Sequence, residues 1–184
     1  MRNTIVALEE GDLRPGLSHR SAQAVLSDCV GVLGSFYFLT RPTPQRHALA
    51  NTCAALASTA AAAMPAFSYA WYVLAATADI VGDVPQVNAG LLASQGTGAN
   101  EQWIAELRVD VADDRFAELS PAVLAGHEQD LRLLVTSHRG VEKIARRYVD
   151  EPGFRERITR IVETLPPEAQ RLFLSYLQQA AGTT

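Results

Sequence analysis

Two pairs of polar residues carry the clearest chemistry that residue type and spacing offer. His47 with Asn51, and Asp79 with Asp83, are each four residues apart, so each pair shares one face of a helix. An imidazole beside two carboxylates has its pKa raised by the ion pair and lowered by desolvation, and it can serve as a general base or hold a metal. A structural reading competes with this one. Asp83 stands just before Pro85 as part of a turn, and His47 falls in the first turn of its helix, near water. Asp79 is harder to account for, because a carboxylate among apolar helices is costly unless a partner neutralises it. The catalytic candidates are therefore His47, Asp79 and Asp83, with Asn51 beside them as a ligand-binding residue.

A second group is aromatic. Tyr69, Trp71 and Tyr72 fall level with His19 and Gln23, and aromatic walls with a few polar tips are how small-molecule pockets are lined. Plain core is the competing role for aromatics at helix starts, and Phe36, Tyr37 and Phe38 face the same choice. His127 and His138 lie on one apolar seam, separated by roughly 16 Å along a helix axis, so they cannot share a metal. His138, flanked by Ser137 and Arg139, is the better ligand-binding candidate. His127 reads as a neutral seam histidine satisfied by one hydrogen bond.

Several chemistries lack their signature. There is no HExxH helix, no His and Cys set at zinc spacing, no Gly-x-Ser-x-Gly elbow, no phosphate-binding loop and no dinucleotide fingerprint. No cofactor is identified. A formal net charge of −4 provides no field for a phosphate backbone, so nucleic acid is not expected as a partner. Cys29 and Cys53 fall level with each other and read as two buried thiols of a reducing, cytoplasmic protein, without a disulfide. The stretch Ala54 to Ala78 is free of charged residues, but it is mostly Ala, Ser and Thr and is divided by Pro65, so a membrane span is not expected. Arginine far outnumbers lysine and alanine is abundant, as in a GC-rich bacterial genome.

The elements that must position these residues are helices throughout, giving an all-α, antiparallel multi-helix bundle. Ser18 caps a helix carrying Ala22, Val25, Leu26, Cys29, Leu33 and Phe36, which Thr40-Arg41-Pro42 ends. Thr43-Pro44 starts a second helix to about Ala63, Pro65 a third to about Val81 and Pro85 a shorter fourth to about Ser94. In tight antiparallel hairpins, residues at equal height sum to about 83 for the first two helices and about 130 for the next pair. That register sets His47 against Asp83 and Asn51 against Asp79. Residues 101–118 can be helical, although Arg108-Val109-Asp110-Val111 alternates like an extended piece. Ser120-Pro121 starts a long helix expected to reach Tyr148, with Leu124, His127, Leu131, Leu134, His138, Val141, Ala145 and Tyr148 as its seam. Pro152 and Pro166-Pro167 introduce the last two helices. The chain reads as one domain over 1–184, with an alanine-rich, nearly uncharged half (18–95) and a charged half (100–184).

Three functions follow. The first is a small-molecule site, enzymatic or sequestering, as in bacterial specialised metabolism, at the polar cluster or the aromatic pocket. The second is homodimerisation through the 121–148 seam. The third is binding of an anionic ligand by the arginines of the C-terminal half, which include Arg139, Arg146, Arg147, Arg155, Arg157 and Arg160.

Overall fold

Ser18 opens the helix expected of it, its side chain accepting a hydrogen bond from the Ser21 amide at 3.2 Å. In the computed structural model of the chain, which describes residues 2–10, 13–14, 16 and 18–182, that helix is the second of eleven. The helices are α1 (Arg2–Glu9), α2 (His19–Leu33), α3 (Phe36–Leu39), α4 (Thr43–Ala63), α5 (Ser68–Val81), α6 (Val84–Thr97), α7 (Gln102–Asp114), α8 (Pro121–Thr136), α9 (Gly140–Asp150), α10 (Pro152–Glu163) and α11 (Pro167–Gly182). A single 3-10 turn, Phe116–Glu118, joins α7 to α8, and there is no strand among the described residues. None of the described helices is long and apolar enough to cross a membrane.

The all-α bundle is thus the fold, with two local departures from expectation and one open point decided. The N-terminal segment forms α1, whose Ile5 and Leu8 are buried in the core. Residues 102–114 are helical in full, so the alternation around Arg108 does not mark a strand. Most consequentially, the helix expected to run from Pro121 to Tyr148 is two helices. Ser137 leaves helical geometry with ψ 145° and its hydroxyl accepts from the Gly140 amide at 3.1 Å, at the start of α9. The corner needs a glycine, because a Cβ on Gly140 would lie 2.7 Å from the Leu134 carbonyl oxygen. A local capping interaction here overrides an apolar period that continues through the break.

The core has two parts. Leu26, Ala57, Val73 and Val87 belong to the first, built mainly by α1 to α6 with Val123 from the start of α8; Leu131, Leu134, Ile144, Phe154 and Ile158 belong to the second, built by α8 to α11. Helix α7 serves both, sending Ile104, Val111 and Ala112 to the first and Ala105 and Val109 to the second. Seam residues Leu131, Leu134, Val141 and Ala145 are buried in the chain's own core, so the stripe that pointed to dimerisation is already covered.

Cys29 and Cys53 do meet across α2 and α4, at the expected level, but as a disulfide and not as two thiols. The register argument holds and the redox argument is corrected. With it goes the support that free thiols lent to a reducing compartment.

Candidate functional site

The structure does not assemble the cluster expected from His47, Asp79 and Asp83. Asp79 finds its partner in Arg115, just beyond α7: Nε donates to its carboxylate at 2.5 Å and Nη2 to its backbone oxygen at 2.9 Å. The Asp79 carboxylate raises the Arg115 pKa above its ordinary value, first by the hydrogen bond and then by its charge. Asp83 caps α6, accepting from the Gln86 amide at 3.1 Å, which is the turn role already open to it. No hydrogen bond or ion pair joins His47 to either acid among the described residues. Asn51 and Asp83 do line one surface groove, together with Thr77 and Gln86.

The aromatic candidates separate likewise. Tyr69 and Tyr72 are buried and stacked with ring centroids 5.7 Å apart, and burial pushes both phenol pKa values up. The Trp71 indole donates to the Pro65 carbonyl at 2.8 Å. His19 and Gln23 instead share a groove with Phe67 and Trp103, the His19 ring lying 4.4 Å from that of Phe67. His138 is exposed at the corner between α8 and α9, off the seam.

A different polar centre forms between α7, α8, α9 and α10. Its hub is Asp113, whose side chain is 5% exposed. Arg157 of α10 pairs with Asp113 Oδ1, Arg147 of α9 places Nη1 2.8 Å from Oδ2, and His127 of α8 places Nε2 3.3 Å from Oδ1. Both guanidinium groups also lie over rings, Arg157 at 4.0 Å from the Phe116 centroid and Arg147 at 4.4 Å from that of Phe154. Cation, carboxylate and ring thus fix each other's positions.

His127 is the unusual member. Its side chain is 2% exposed, yet neither ring nitrogen makes a hydrogen bond, the Asp113 contact being long and poorly aligned. It lines the inner wall of a cleft of about 360 Å³ between α8 and α10. Leu124, Glu128, Leu131 and Arg132 continue the α8 wall; Arg157, Arg160 and Ile161 form the α10 wall on one face, with Thr164 just past its end; Phe116 closes one side. Arg132 donates only to the neutral Thr164 hydroxyl, at 2.9 Å, and Arg160 makes no hydrogen bond or ion pair among the described residues. Three guanidinium groups and an unbonded imidazole therefore face one partly apolar cleft, with Glu128 as the opposing charge.

Behind His127 lies a fully enclosed ion pair. Arg108 donates from Nε to Asp130 Oδ2 at 2.7 Å and from Nη2 to Oδ1 at 2.6 Å, both residues being 2% exposed. Gln95, Ser94 and the Gly98 carbonyl complete the set, tying α6, α7 and α8 together. Burial drives the Asp130 pKa up, opposed by the Arg108 hydrogen bonds and charge. This pair has a positioning role: it fixes the α8 segment that carries His127.

Sequence reasoning passed over His127 as an ordinary seam residue and did not single out Arg132, Asp113 or Arg108. The available signal was the apolar face of α8 interrupted by two polar residues, His127 and Asp130, three apart on one side. Arg157 and Arg160 were already visible as part of the basic half. Among the described residues, no group of three or more His, Cys, Asp or Glu is arranged to hold a metal. No protein-family model, curated protein or solved structure matches the chain.

Proposed function

We propose that this chain is a small-molecule-binding helical protein whose ligand is a small organic anion, a phosphate or carboxylate with an apolar body, held between α8 and α10. The observation that carries the reading is the convergence of Arg132, Arg160 and Arg157 with the buried, unbonded His127 on one cleft. Arg132 and Arg160 have no carboxylate partner among the described residues, so their forks are available for a ligand oxygen. Leu124, Leu131, Ile161 and Phe116 supply apolar wall, and the volume of about 360 Å³ fits a small ligand. Glu128 lowers the net positive charge of the cleft and favours a singly or doubly charged ligand over a polyanion.

Calorimetric titration with phenyl phosphate tests the reading, with phenol as the uncharged control. The expected result is saturable binding of phenyl phosphate that weakens with added salt, no binding of phenol at the same concentrations, and a loss of about tenfold for each of Arg132→Met and Arg160→Met. Absence of binding, or affinity unchanged in both variants, overturns it.

A further inference from the structure

A second groove, lined by none of the residues of the anion cleft, has the inverse chemistry. It is a depression of about 480 Å³ lined by His19, Phe67, Ser68, Glu101, Trp103 and Ile104, among others. Among the described residues no Arg or Lys lies on its lining, and Glu101 is its one carboxylate. Its aromatic members are joined through Tyr69, buried behind the lining: His19 lies on Phe67 at 4.4 Å, Phe67 by Tyr69 at 6.1 Å, and Tyr69 by Trp103 at 4.9 Å. Trp103 nonetheless keeps 46% of its surface exposed, unusual for so large an apolar ring in a concave site.

The carboxylate is placed, not merely present. The Ser68 hydroxyl, on a residue 2% exposed, donates to Glu101 Oε2. Gly98 closes behind the pair so tightly that a Cβ there would lie 2.5 Å from Ser68 Cβ and 2.7 Å from Glu101 Oε2. The groove thus offers a fixed negative charge beside aromatic faces, with no Arg or Lys on its lining among the described residues. That combination attracts an organic ammonium ion: the ring faces are electron-rich, the alkyl groups gain from leaving water, and the carboxylate balances the charge.

We infer that this groove is a binding site for an organic ammonium ion, with Trp103 and Phe67 as its aromatic walls and Glu101 as its counter-charge. It is independent of the anion cleft and stands whether or not that cleft binds its ligand.

Choline and its uncharged isostere 3,3-dimethyl-1-butanol provide the test, because they match in shape and differ in charge. The chain has two tryptophans, so the indole N–H resonances of Trp71 and Trp103 can be followed in ¹⁵N-labelled full-length protein and assigned with Trp103→Phe. Choline is expected to shift the Trp103 resonance saturably, with affinity at least about tenfold above that of the isostere. Glu101→Gln keeps an oxygen for the Ser68 hydroxyl and should lose most of that preference, while its melting temperature and its affinity for the isostere stay close to wild type. Equal affinity for choline and the isostere, a preference that survives in Glu101→Gln, or no response of Trp103 to choline would each overturn the assignment.

Discussion

His127 and Asp113 meet with Nε2 3.3 Å from Oδ1, both side chains almost wholly buried, and neither ring nitrogen of the histidine forms a hydrogen bond. Asp113 is occupied elsewhere, by Arg147 and Arg157. One carboxylate therefore restrains two guanidinium groups, and the buried imidazole beside it keeps no hydrogen bond of its own.

Replacing Asp113 by Asn keeps its shape and removes its charge. The two arginines, 16% and 18% exposed at the side chain, then lose their common partner, which should cost about 1 to 3 kcal/mol of folding stability, less than for a fully buried pair because water reaches both and Arg147 keeps Glu151. Denaturant midpoints measure this. The same change frees Arg157 for the cleft, so phenyl phosphate should bind the surviving folded protein at least as tightly as wild type. A variant of unchanged stability would deny Asp113 its role as hub.

The Arg108 and Asp130 pair should behave as a unit. Asp130→Ala alone leaves a buried guanidinium unpaired and should destabilise by about 3 to 5 kcal/mol. Arg108→Met combined with Asp130→Leu removes both charges from a site that already excludes water, and it should be less destabilised than Asp130→Ala alone. Urea unfolding of Arg108→Met, Asp130→Leu and the double variant completes the cycle. Additive losses would mean that the two side chains do not depend on each other.

Tyr69 and Tyr72 set the alkaline limit. Burial raises both phenol pKa values in the folded state, so the folded protein holds these protons more tightly than the unfolded chain does. The stability this contributes is fully present below the unfolded value near pH 10, and it is lost as pH rises through the higher folded values. Absorbance at 295 nm should show two phenols ionising late, together with unfolding, and the late component should vanish in Tyr69→Phe/Tyr72→Phe. Ionisation of both at the ordinary value while the fold persists would contradict their burial.

Much of the fold was legible because its signals are local. Ser18, Thr43-Pro44, Ser120-Pro121 and Pro152 all stand at helix starts, and hairpin register alone brought Cys29 level with Cys53. The break at Ser137 was hidden because apolar spacing runs through it while a serine and a glycine supply a competing cap. The site was less legible, since it depends on pairs remote in sequence. Asp79 was rightly read as needing a partner, but that partner, Arg115, lies 36 residues away at the end of a segment whose conformation was open. Arg108 made its segment look extended because an arginine faces inward there, toward Asp130, 22 residues on. Hydrophobic period cannot anticipate a charge that is buried because another charge awaits it.

The central claim is that the unbonded His127 belongs to an anion site. The chain has four histidines, and ¹⁵N resonances of their rings, with that of His127 assigned from His127→Asn, report on each separately. On titration with phenyl phosphate, the His127 nitrogens should shift saturably, with the dissociation constant found by calorimetry, while His19, His47 and His138 stay in place. Binding heat with a motionless His127, or shifts confined to the other three histidines, would contradict the account.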